Sequence, residues 1–163
     1  MVKKITAILM VAIMILSFAS CGGAGDSGEK TEAPKTVDLV AIKNEMITQL
    51  NIESPIDLDN DKLLNQYGIT AETVKSSGSF IVLTGIFPAE IVMIEAVDEN
   101  AAKEIQGKLQ TRLDDLKAQS QSYDAESYSI AQSCSIYING NYVAMFFSEH
   151  GAQMENIYLK YFN

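Results

Sequence analysis

Acidic side chains alternate at 57–61, where Asp57, Asp59 and Asp61 stand at the spacing that opens a calcium loop. Such a loop needs a glycine at its sixth position and a bidentate glutamate at its twelfth, and this chain supplies Lys62 and Gly68 there. The run therefore reads as a helix cap: Asp59, Asn60 or Asp61 closes the first turn of a short helix that carries Leu63, Leu64 and Tyr67 and stops at Gly68. Other candidates for chemistry are few. Glu90 and Glu95 fall on opposite faces of one strand by its period of two, so they do not make an acid and base pair. Arg112 lies beside the apolar stripe of a helix with no phosphate-cradling glycine loop near it, and reads as a snorkelling or paired arginine. Cys134 shares strand parity with Ile136 and Ile138, as a buried small hydrophobe would. His150, the single histidine, sits at a strand-to-helix junction, where capping or exposure accounts for it. HExxH, GxSxG, Walker and CxxC patterns are all missing, so the usual starting points for metal hydrolysis, acyl transfer, phosphoryl transfer and thiol redox chemistry are not here. The reading is of a protein without enzymatic activity, metal or cofactor.

The elements that position these residues follow a leader. Lys3 and Lys4 precede an apolar run over 5–16 and then Ser17, Phe18, Ala19, Ser20 and Cys21. The run is too short for a permanent membrane span and has the layout of a secretory signal, expected over 1–20. Ala19 and Ser20 before Cys21 resemble a lipoprotein box, which implies diacylglycerol on the Cys21 thiol and cleavage that leaves Cys21 as the new N-terminus. Phe18 departs from the leucine usual at the first box position. Residues 21–36 hold the lipidated cysteine and a stretch rich in glycine and poor in apolar side chains, a flexible tether of about 20 Å typical reach.

Removal of the leader takes two cations with it and leaves a net charge of about −11 from the precursor's −9. That sign excludes nucleic acid and anionic headgroups as partners of the folded part. The lipid, not the charge, would hold the protein at the extracytoplasmic face of the cell membrane. With Cys21 acylated, Cys134 has no partner in the chain for a disulfide.

Residues 37–163 have the length of one domain. Asp38 caps a helix over 39–50 with Leu39, Ile42, Met46, Ile47 and Leu50 on one side. After the short helix ending at Gly68, Thr70 caps one more turn. Strands are expected over 80–83 and 89–97, a helix from Asp98 over 99–118, a short helix capped by Asp124, strands over 133–139 and 142–148, and a last helix from His150 or Gly151. Asn139-Gly140 offers a tight primed turn. The order suggests an α+β fold: a four-stranded antiparallel sheet built from two units of β-hairpin and helix, with the N-terminal helices packed on it.

Tyr67-Gly68-Ile69, Pro88-Ala89-Glu90-Ile91, Arg112 and Gly140-Asn141-Tyr142-Val143, in this order and spacing over about 38–162, give the chain its family likeness. It resembles the bacterial lipoprotein family catalogued as domain of unknown function 4358. The resemblance implies a membrane-anchored protein with a signal sequence and without an assigned activity or catalytic residue.

The functional expectation is a binding or scaffold module at the cell envelope, contacting a protein or cell-wall partner. A ligand-binding accessory protein of a transporter and an envelope hydrolase using Glu90 are the alternatives. Strands 80–83, 91–94 and 142–147 are apolar on both faces, so either helices cover both sides of the sheet or an apolar patch stays open for a partner. Tyr137, Asn139, Gly140, Asn141 and Tyr142 of the second hairpin are the expected contact, because tyrosine combines area with a polar tip.

Overall fold

The computed structural model describes residues 36–163. The expected signal sequence, the lipid site Cys21 and the tether lie outside the described residues.

The helices begin where short acidic side chains close their open ends. Asp38 accepts from the N–H groups of Val40 and Ala41 to start α1 (Leu39–Gln49). Asp59 does the same for Lys62 in α2 (Asn60–Tyr67), Asp98 for Ala101 in α3 (Glu99–Tyr123), and Asp124 for Ser127 in α4 (Ala125–Ser133). Gly68 ends α2 at φ +69°, a left-handed conformation that glycine takes without a Cβ penalty. The last helix, α5 (Gly151–Leu159), follows His150, which makes no side-chain cap bond. A single 3₁₀ turn, Ala71–Thr73, follows Thr70, which also lacks a side-chain cap bond.

The strands are β1 (Ile56–Asp57), β2 (Val74–Ser77), β3 (Phe80–Val82), β4 (Ala89–Ala96), β5 (Ile136–Asn139) and β6 (Tyr142–Phe147). All pair antiparallel, in the order β1-β3-β4-β6-β5, with β2 also against β4. The sheet thus has six strands where four were expected. Ser77 faces Ile94 and Phe80 faces Ile91, so β2 and β3 share one rank beside β4 and keep one register across Gly78 and Ser79. At that break the hydroxyl of Ser79 takes the place of backbone: it accepts from the Met93 N–H and donates to the Met93 carbonyl. Gly78 is required here because a Cβ would fall 2.2 Å from the Leu39 carbonyl oxygen of α1.

Helices cover both faces, which answers the question left open by the apolar strands. Ile91, Met93, Phe80, Ala144 and Phe146 pack against α1 and α5. Val92, Ile94, Ala96, Val143 and Met145 pack against α2, α3 and α4. The two N-terminal helices pack on opposite sides of the sheet, α1 on one and α2 on the other, because the strand period sends alternate side chains of β4 into two separate cores. The expected strand over 133–139 is also shorter. Ser133 closes α4 and Cys134 is its C-cap, so Cys134 is not in a strand with Ile136.

Candidate functional site

Strand parity turns Glu90 toward α3, where it is 2% exposed. A buried carboxylate requires donors, and two helices supply them. Arg112 lies one turn beyond Leu109 on the buried side of α3; its Nε donates to Glu90 Oε2 at 3.1 Å and its Nη2 to Oε1. Tyr67, the last residue of α2, donates its hydroxyl to the same Oε2 at 3.0 Å. Burial, and then the charge of Glu90, push the Tyr67 phenol well above its ordinary range, so it remains a donor at neutral pH. The bond to Glu90 likewise holds the Arg112 guanidinium protonated more firmly. This arrangement clamps β4 to α2 and α3. Three of the four stretches that carry the family likeness meet in it. Each residue was visible singly; what could have joined them is that each is a polar group on an otherwise apolar face, and a buried carboxylate must find such partners.

Glu95 points to the other face, as the strand period requires. Its Oε1 accepts from Lys75 at 2.6 Å and its Oε2 from Ser76 at 3.0 Å. The two glutamates therefore belong to different layers.

Cys134 is half-buried, and burial pushes its thiol up to about 11. His150 Nδ1 lies 3.1 Å from Gln153 Oε1, and its Nε2 lies 3.8 Å from Glu149. In the second hairpin the loop is Gly140-Asn141, with Asn139 paired to Tyr142. The positive φ falls on Gly140 alone, so the turn is not built on Asn139-Gly140. Asn139 and Gly140 are exposed, while Tyr137 and Tyr142 are half-buried against the α1 and α5 side. Tyr142 packs edge-on against Phe162 at 5.2 Å and accepts from the Val37 N–H at 3.1 Å. Tyr137 lies 5.9 Å from Phe146; burial, and then a bond to Glu155, push its phenol up to about 12.

An opening lies at the other end of the sheet, where β3 and β6 finish and β4 begins. It is a cleft of about 380 Å³. Val82, Phe87, Ile130, Phe147 and Met154 give it apolar walls. Glu53, Asp124, Glu126, Glu149 and His150 stand around them. The β3 to β4 connection forms one side, and beyond the cleft it carries Leu83 and Ile86, 71% and 68% exposed, around Gly85 at φ +62°. Sequence reasoning missed the cleft, since its walls come from four separated stretches. The signal available was the pair Leu83 and Ile86, apolar residues flanking a glycine outside any strand pattern.

A six-stranded antiparallel sheet with helices on both faces, a buried ionic clamp and an apolar cleft at one end make this a small α+β domain. Residues 48–148 match the family described as Domain of unknown function (DUF4358), and the chain belongs to that family. No curated protein and no solved structure matches it. Among the described residues no helix is long and apolar enough to cross a membrane.

Proposed function

We propose that this protein is a non-catalytic binding module, anchored through diacylglycerol on Cys21 at the extracytoplasmic face of the cell membrane, and that its ligand enters the cleft between β3, β6 and α4. The observation that carries this reading is the polarity of the domain. Val37, the first core residue, is bonded to Tyr142 at one end of the sheet, whereas Val82, Ala89 and Phe147 border the cleft at the other. The eight residues of β4 separate these ends by roughly 25 Å. The Asn139 to Tyr142 turn thus lies at the end of the domain where Val37 enters it, and the cleft at the opposite end. That favours the cleft over the hairpin as the contact, since Tyr137 and Tyr142 are already engaged in the core beside α5.

Mass spectrometry of the protein from the membrane fraction tests the anchor: the expected N-terminus is Cys21 carrying diacylglycerol, and an unmodified N-terminus elsewhere contradicts it. Incubating the purified protein with envelope extract tests the absence of catalysis. A new product that depends on the protein would end the binding-module reading.

A further inference from the structure

The chemistry of the cleft narrows what it could bind. Its walls are apolar, and the ionisable groups around them are four carboxylates and one imidazole, with neither lysine nor arginine. The cations that pair with carboxylates elsewhere, Lys43, Lys62, Lys75, Lys108 and Arg112, are engaged away from it. Asp124 is fixed at the mouth by its bonds from the Ser127 hydroxyl and N–H, and the Ser127 bonds hold its carboxyl below the usual range. Glu53 and Glu126 make no ion pair among the described residues. Among the described residues the ion-pair partner of Glu149 is His150, at 3.8 Å. Low-dielectric walls under carboxylates of one sign focus a negative potential into the opening. The carboxylates do not converge as metal ligands do: among the described residues no three His, Cys, Asp or Glu side chains form a group able to hold a metal ion. Groups spread this widely suit a larger cation whose apolar part displaces water from the half-buried Val82, Phe87 and Ile130.

We infer that the cleft binds a small organic amine in its protonated form, with the apolar body against Val82, Phe87, Ile130 and Met154 and the ammonium among Glu53, Asp124, Glu126 and Glu149. The inference rests on the cleft being the ligand site. Its volume lies at the lower end of the range for small-molecule pockets, so the body is of the size of an arylalkyl group. Net negative charge over the whole chain adds long-range attraction for the same sign of ligand.

The test uses the full-length protein in detergent micelles, with methionine methyl groups labelled for NMR and Met154 as reporter. Three probes share a near-identical body and differ in charge: 2-phenylethylamine, 2-phenylethanol and phenylacetate. The amine is expected to shift the Met154 signal saturably, with binding that weakens as salt is raised. The alcohol and acid are expected to bind at least tenfold more weakly. The variant Glu53→Gln/Glu126→Gln/Glu149→Gln changes only exposed side chains and should keep the melting temperature while losing at least tenfold in amine affinity. Equal binding of phenylacetate or phenylethanol, or unchanged amine binding by the triple variant, overturns the ligand class and leaves the cleft as a site. If none of the three probes moves Met154, both the ligand class and the cleft as binding site are overturned.

Discussion

The hydroxyl of Ser79 accepts from the Met93 N–H at 2.9 Å and donates to the Met93 carbonyl at 3.1 Å, so a side chain completes the ladder between β4 and the rank formed by β2 and β3. The Met93 carbonyl also accepts from the Gly78 N–H, but the Met93 N–H depends on Ser79. Ser79→Ala should therefore strand a fully buried donor and cost about 1–3 kcal/mol in urea unfolding. Gly78→Ala should cost at least as much, through the clash with Leu39. A Ser79→Ala variant as stable as the parent would show that Met93 finds another partner.

The Glu90 and Arg112 pair predicts strong non-additivity. Arg112→Met should destabilise by about 3–5 kcal/mol, because it leaves a buried carboxylate without its cation. Adding Glu90→Gln should recover a large part of that loss. A double-mutant cycle by chemical denaturation gives the coupling; additive single effects would mean that the clamp contributes no pairwise energy.

Acid should act on the other face. Burial raises the Glu95 carboxyl, but the bonds from Lys75 and then Ser76 outweigh it and hold the group below its ordinary range. A depressed folded pKa means stability that is present above the unfolded value, near 4.3, and is lost as pH falls through the folded one. The stability gap between the parent and Glu95→Gln should be full at pH 6 and close as pH falls below about 4. A gap that is constant with pH would remove Glu95 from the acid response.

Tyr158 is 1% exposed and its hydroxyl has no hydrogen-bond partner among the described residues. Its ring packs against Phe146 and Phe162 at 5.5 and 4.7 Å. Tyr158→Phe keeps those contacts and removes an unsatisfied group, so it should leave stability unchanged or raise it by about 1 kcal/mol. A loss of more than that in thermal unfolding would reveal a bond to the hydroxyl.

Cys134 should react slowly with iodoacetamide at pH 8 and progressively faster toward pH 11, since its thiol is pushed up to about 11 and only the thiolate attacks. Reaction at pH 8 as fast as that of a free cysteine would contradict the burial.

How far the sequence reached can be followed through particular residues. Asp38, Asp98 and Asp124 announced three helix starts, and Asp59 closes the fourth, where Asp59, Asn60 and Asp61 were all candidates, because capping is decided by side chains two or three positions from the bonds they make. The long strands 89–97 and 142–148 were legible from apolar runs. β1 and β2 were not: Ile56 and Asp57 are both exposed, and Val74-Lys75-Ser76-Ser77 is mostly polar, so their pairing is set by Phe80, Ile81 and the end of β4 and not by their own pattern. Cys134 looked like strand because alternation with Ile136 and Ile138 is also what a helix end followed by a short strand produces. The opposite faces of Glu90 and Glu95 followed from parity alone, whereas the meeting of Glu90 with Tyr67 and Arg112 depended on which helix covered which face.

Coverage of both faces makes the domain vulnerable to a single proteolytic cut after α1. α1 is joined to the remainder of the domain by a turn in which Asn51 and Ser54 both take positive φ, and both are exposed. A cut there would free α1, and with Leu39, Ile42 and Met46 gone, Phe80, Ile91 and Met93 would lose much of their cover. The clipped product would then present a sticky row of side chains along a paired sheet. Its fate should be aggregation and clearance instead of a loosened but soluble domain.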